Sequence, residues 1–160
     1  MEIYVLRHGK AEAPAPGQVD PSRRLTLEGK EKLGRVLARV REAGVRPGLL
    51  LASPYRRAME TAELAQQALQ VESIAQTRAL EPLESPEDLW EEIRLHGSTE
   101  QLLLVGHDPL LSLMVCYLIG APGGRVVLKT GAMARVDVES LGVRPAGVLV
   151  WLITTQVAGD

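Results

Sequence analysis

Arg7 and His8 stand at the end of an apolar run over residues 3–6, Arg56 and Arg57 come a few residues after a second run at 49–52, and His107 follows a third at 102–105. Two arginine sites and two histidines placed at the ends of apolar runs suit one kind of chemistry. A phosphoryl group in transfer spreads negative charge over three equatorial oxygens, so its catalysis is mostly positioning plus fixed positive charge. Guanidinium groups match that geometry with a planar fork of donors and stay ionised at any working pH. A neutral imidazole, with an ordinary pKa of about 6.5, is a nucleophile near pH 7 and can carry a phosphoryl group covalently. His8 is the better nucleophile candidate, because Gly9 beside it lets the backbone approach a ligand closely. His107, when protonated, would donate to a phosphoryl oxygen.

These residues need elements to position them, and the sequence reads as strands alternating with helices, the pattern of an α/β domain. Residues 2–6 read as a first strand and 13–24, rich in Pro and Gly, as a loop. Leu33, Val36, Leu37 and Val40 follow helical spacing, with Thr26 as a cap at the start and Gly44 as a stop. Residues 49–52 read as a buried strand, after which Ser53 and Pro54 carry the signature of a helix start. A further helix opens at Ser85, whose spacing to Asp88 is that of a capping box. Residues 101–105 read as a strand, turning at Gly106, His107 and Asp108 into a helix from Pro109 with a wide buried face at Leu111, Met114, Val115 and Leu118. The segments AMARVDVES and GVLVWLITTQV read as two closing strands. In an open α/β sheet, ligands bind beyond the carboxyl ends of strands, where loops lead into helix N-termini, so neighbouring strands here would build one anion cradle.

The bulk composition narrows the setting. The 160 residues carry 18 Lys and Arg against 20 Asp and Glu, a formal charge of −2, which gives no electrostatic footprint for nucleic acid or an anionic membrane. Affinity for phosphate is therefore expected to be local. The length supports one domain over residues 1–160. Cys116 is the single cysteine and lies among apolar neighbours, as expected of an inert thiol in a reducing cytoplasm. No run reaches the length of a membrane span.

LRHG near the start, SPYRRAMETA in the middle and VGHDP toward the end, in that order and spacing, resemble the histidine phosphatase superfamily, and in detail its SixA-type phosphohistidine phosphatases. The resemblance runs from Ile3 to Ala132. It implies a mixed, mainly parallel sheet flanked by helices on both faces, the phosphoglycerate mutase-like fold, and a reaction that needs no cofactor and no metal. It implies that His8 is the phosphorylated nucleophile, that Arg7 and Arg57 bind phosphate, and that His107 is the second histidine of the pocket. Arg56 points elsewhere on a helix and reads as a surface residue.

Two departures from the family pattern matter. KAEAPAPG follows the first motif instead of a polar segment with an asparagine, which weakens a mutase reading. The segment ALEPLESPEDL offers only Glu81, or its rival Glu84, as a general acid. An alkoxide leaving group is about as basic as hydroxide, the pKa of water being about 15.7, and needs such an acid; an imidazole, whose conjugate acid has a pKa of about 6.5, leaves far more easily. The expected substrate is therefore a phosphohistidine protein, with a small-molecule phosphomonoester as the alternative. Two other classes stand beside this one: a metal-dependent hydrolase using His8 and His107, for which no third ligand falls at familiar spacing, and a noncatalytic phosphate-binding module. Lys10, Arg23 and Arg24 read as exposed loop charges, and His96 as compensating a helix dipole.

Overall fold

The computed structural model describes residues 1–159. Ten elements follow one another: β1 (Glu2–Arg7), α1 (Leu27–Glu42), β2 (Leu49–Ala52), α2 (Arg56–Leu69), β3 (Ser73–Gln76), α3 (Pro86–Arg94), β4 (Gln101–Gly106), α4 (Leu110–Leu118), β5 (Met133–Asp137) and β6 (Val148–Ile153). The strands form one sheet in the order β3-β2-β4-β1-β5-β6. The first four by sequence pair in parallel, and β5 and β6 run antiparallel at one side. This is a single mixed, mainly parallel α/β sheet, as the resemblance implied.

The central strands read as unbroken apolar runs because both sheet faces are covered. Ile3 and Val5 of β1 point into a core with Leu89, Trp90 and Ile93 of α3 and Leu110, Met114 and Val115 of α4. Tyr4 and Leu6, one residue out of phase, enter a second core with Leu33, Val36 and Leu37 of α1 and Ala58, Ala62 and Ala65 of α2. Period-two alternation of the strand thus feeds two layers of helix.

Local signals explain the helix ends. The Thr26 hydroxyl accepts from Gly29 N at the start of α1, and the Ser85 hydroxyl accepts from Asp88 N at the start of α3. Gly44 sits at φ +88°, a left-handed conformation that suits glycine and ends the helix. Two expectations change. The expected loop at 13–24 contains a 3-10 turn at Asp20–Ser22. The helix expected from Ser53 begins only at Arg56, with Tyr55 as its cap and no capping side chain. The Ser53 hydroxyl has another partner, described below. β3 was not expected at all: of its four residues three are exposed, so it pairs through backbone and carries no apolar alternation.

One packing contact sets the site. Lys10 O, two residues past His8, accepts from Thr26 N at 2.9 Å, which docks the start of α1 against the segment following β1. A Cβ on Gly29 would overlap the Lys10 carbonyl oxygen and stand 2.9 Å from Lys10 N. Gly29→Ala is accordingly expected to destabilise the protein by about 1–3 kcal/mol through overpacking. Gly34→Ala, on the exposed side of the same helix with nothing near its Cβ, is expected to stabilise by about 0.5–1 kcal/mol. Urea unfolding of the two variants checks the pair, and equal shifts would contradict the docking account.

Candidate active site

β2, β4 and β1 are neighbours, and their carboxyl ends stop at one level: Ala52 is level with Val105, and Arg7 with Gly106. The pairing continues past them, with Ser53 N donating to Val105 O at 3.0 Å and His8 N to Gly106 O at 2.9 Å. Three segments far apart in sequence therefore deliver His8, Ser53 to Arg57, and His107 to the same place. Four of the buried polar residues, His8, Arg57, Ser53 and His107, belong to this cluster, and Thr61 braces it.

His8 Nδ1 lies 2.7 Å from the Gly9 carbonyl oxygen. A carbonyl can only accept, so Nδ1 carries the proton and Nε2 keeps its lone pair. Arg57 Nε, 3.3 Å away, donates to that same Nε2. Two independent partners thus select one tautomer. Burial pushes His8 down to about 4, against the pull of the Gly9 carbonyl and with further repulsion from Arg57 and Arg7. Thr61 ties the nucleophile candidate to α2: its hydroxyl accepts from Gly9 N at 3.1 Å and donates to Arg57 O at 2.8 Å.

Arg57 is 4% exposed. Its two terminal nitrogens donate to Asp20, Nη1 to the main-chain oxygen at 3.0 Å and Nη2 to the carboxylate at 3.1 Å. Its guanidinium also rides over the Tyr55 ring at 5.1 Å. Arg7 turns Nη1 toward Leu128 O at 2.9 Å and Asp108 at 3.4 Å. The His107 ring lies 5.1 Å from that of His8 and edge-on to Tyr55 at 4.9 Å, with Nε2 held 2.7 Å from the Ser53 hydroxyl. Burial, with His8 and Arg57 nearby, lowers His107 to about 3. The condition attached to His107 as a donor, that it be protonated, is not met at pH 7, because a desolvated imidazole beside a guanidinium stays neutral.

Among the described residues, two buried side-chain nitrogens lack any hydrogen-bond partner: Arg7 Nε and His107 Nδ1. Buried donors without partners are rare, and both of these lie in this one cluster. Together with Arg57, whose Nε faces His8 Nε2, they are nitrogen groups of a kind suited to an anion. A cleft of about 300 Å³ lined by Glu87, Tyr117 and Arg144, among others, contains none of them. Among the described residues no group of three or more His, Cys, Asp or Glu side chains is placed to hold a metal ion.

The remaining predicted residues fall outside this contact set. Glu81 accepts from Arg78 at 3.2 Å, and Glu84 is exposed. Arg56 pairs with Glu60 at 3.6 Å on the surface side of α2, as read from its helical position. Lys10 is paired with Glu28 at 2.7 Å. Arg23 is not a free loop charge: Nε and Nη2 clamp the Asp20 carboxylate at 2.8 and 2.6 Å. Asp20, Ser53 and Thr61 are the participants that sequence reading missed. Partial burial works against ionisation of Asp20, yet the hydrogen bonds from Arg23 and Arg57 hold its carboxyl below the ordinary value.

The parallel strand ends of this α/β sheet gather two histidines and two arginines, a set of groups suited to an anion. Residues 3–83 match the histidine phosphatase superfamily (branch 1). A phosphohistidine phosphatase SixA homolog from Haemophilus influenzae is 30% identical over 140 residues, covering 75% of this chain and 78% of that protein. The chain belongs to the histidine phosphatase superfamily, and it is a phosphatase. Its phosphoglycerate mutase-like fold is shared with the protein histidine phosphatase SixA solved with tungstate, at TM-score 0.87, 23% identity and 98% coverage of both chains. It is shared also with a SixA protein of Agrobacterium tumefaciens (0.80, 22%, covering 96% and 97%) and with the alpha-ribazole phosphatase of Shigella flexneri (0.74, 19%, covering 97% of each).

The two neutral histidines have a consequence for stability. Both are held below the ordinary value of about 6.5, so between pH 6.5 and about 4 the unfolded chain binds protons that the folded chain refuses. Stability is full above pH 6.5 and falls as the pH drops through that window, with a slope of up to about 1.4 kcal/mol per pH unit for each histidine. Urea unfolding between pH 7.5 and 5 reads this slope, which the His8→Ala, His107→Ala double variant is expected to lose. An unchanged slope would place the proton uptake elsewhere.

Proposed function

We propose that the chain removes phosphoryl groups from phosphohistidine residues of proteins, carrying each one covalently on His8. The observation that supports this most is the His8 tautomer, with its Nδ1 proton donated in a hydrogen bond to the Gly9 carbonyl and its Nε2 lone pair beside Arg57.

The chemistry follows from that arrangement. Arg57 and Arg7 hold the phosphoryl oxygens and His107 donates to one of them. The Nε2 lone pair forms a bond to phosphorus while the substrate P–N bond breaks, its electron pair passing to the departing ring nitrogen. With the other nitrogen of the substrate ring protonated, the leaving group departs as neutral imidazole. Because the Gly9 carbonyl keeps the Nδ1 proton in place, the intermediate is a phosphoimidazolium. Water then attacks phosphorus, the P–Nε2 pair returns to the ring, and the water proton leaves with the phosphate or solvent. Neutral imidazole is the leaving group in both half-reactions.

The preference for phosphohistidine over an alkyl phosphate rests on acidity. An alcohol needs a protonated group to leave, worth about 10²–10⁴-fold in rate. Asp20, the carboxylate paired with the guanidinium that faces His8, is held ionised by Arg57 and Arg23, and Glu81 is engaged by Arg78. An imidazole needs no such help. The whole chain, residues 1–160, acts in this reading as one histidine phosphatase domain, with a phosphorylated protein as partner and neither nucleic acid nor membrane. No helix is long and apolar enough to cross a membrane among the described residues, and the buried free thiol of Cys116 fits a cytoplasmic setting.

A hydrolysis panel tests the proposal: a phosphohistidine protein, a phosphoserine peptide, a sugar phosphate and a nucleotide. The expected kcat/KM for the phosphohistidine protein exceeds that for the alkyl esters by about 10²-fold or more. Comparable values would favour a small-molecule phosphomonoesterase, and no turnover of any substrate a phosphate-binding module. Activity is expected to survive chelator treatment, whereas loss on chelation would favour a metal-dependent hydrolase.

A further inference from the structure

The Ser53 hydroxyl carries the signature of a helix cap but caps nothing. Ser53 is fully buried, and α2 begins three residues later. Its oxygen meets two groups: it accepts from Tyr55 N at 3.3 Å and lies 2.7 Å from His107 Nε2. The other ring nitrogen, Nδ1, is buried with no partner. We propose that Ser53 is a positioning residue that fixes the tautomer of His107, placing its proton on Nδ1 and so turning a neutral histidine into a donor for a phosphoryl oxygen.

Counting donors and acceptors separates the two possible tautomers. If Nε2 carried the proton, it would donate to Ser53, and the Ser53 proton would have no acceptor in a fully buried position. Nδ1 would then hold a bare lone pair, which repels a phosphoryl oxygen. If instead Ser53 donates to Nε2 and accepts from Tyr55 N, both the donor and the acceptor side of the hydroxyl are satisfied. Of this serine–histidine pair one unpaired group remains, the Nδ1–H donor, on a ring 5.1 Å from that of His8. Position 53 is well suited to the task, because the backbone N–H of Ser53 is itself anchored to Val105 O at 3.0 Å, on the strand that carries His107. The pocket would then use two neutral histidines with protons fixed by different neighbours. Gly9 leaves His8 a lone pair at Nε2, and Ser53 leaves His107 a proton at Nδ1.

This inference rests on His107 meeting the phosphoryl group, and its test separates the two claims. Histidine nitrogen resonances of the full chain, with and without orthophosphate, report the tautomer whatever the physiological substrate is. Wild-type protein is expected to show a protonated Nδ1 and an unprotonated Nε2 at His107, with the Nδ1–H resonance moving when orthophosphate binds. Ser53→Ala is expected to mix the tautomers, weaken orthophosphate, and lower kcat by about 10-fold or more on whichever substrate the chain hydrolyses. Ser53→Thr, which keeps the hydroxyl, is expected to restore the tautomer and most of the rate; circular dichroism of each variant reports the fold, and the wild-type tautomer needs no variant. A proton on Nε2 in the wild type, or a Ser53→Ala protein with unchanged tautomer and rate, would overturn the proposal. A correct tautomer that orthophosphate leaves unmoved would instead remove the contact between His107 and the phosphoryl group.

Discussion

His8 is constrained at both of its ring nitrogens, and the rest of the site is arranged around that constraint. One nitrogen donates a hydrogen bond to a backbone carbonyl one residue away, and the other faces a buried guanidinium. Neither partner is flexible. Gly9 is pinned through Thr61 to α2, and the following residue is docked against the start of α1 at Gly29, where a side chain would not fit. Arg57 is fixed on the same helix as Thr61, within its first turn. The two-layer core is thus what keeps a 3.3 Å contact between residues 49 apart in sequence.

Positive charge is buried here at some cost, and the structure shows how it is tolerated. Burying a cation without a partner is strongly unfavourable. Arg57 meets Asp20, Arg7 meets Leu128 O and Asp108, and the two histidines stay neutral. Asp108 is itself fixed by Ser112, whose hydroxyl donates to it at 2.7 Å and accepts from Leu128 N at 3.0 Å. The Asp20 carboxylate satisfies the guanidinium as a phosphate would, from a loop whose own Arg23 holds it in place. In the proposed reaction, a phosphoryl group that meets Arg57 would share it with Asp20 or displace it.

Much of this was legible because strand ends are legible. Unbroken apolar runs that stop at Arg7, Ser53 and His107 mark buried parallel strands and the polar turns beyond them. Arg57 was singled out by its place in the SPYRRAMETA motif, and it lies on the buried helix face of Ala58, Thr61, Ala62 and Ala65, whereas Arg56 lies off it. What stayed hidden depends on contacts without a local signature. Asp20 reaches Arg57 from 37 residues away, out of a loop with no periodicity. Ser53 before Pro54 carries a helix-start pattern, but its hydroxyl is drawn to His107 by tertiary packing, and the same burial keeps His107 neutral. β3 escaped because an exposed edge strand needs no apolar pattern to pair.

The central claim is that His8 Nε2 forms a bond to phosphorus. Rapid acid-free quenching of the protein during turnover, followed by mass spectrometry of the peptide containing residues 1–10, measures it directly. The account predicts acid-labile, base-stable phosphate on His8 at Nε2, formed and lost at rates compatible with kcat and absent in His8→Ala. Turnover with no phosphate on His8 at any time, or full activity in His8→Ala, would contradict it.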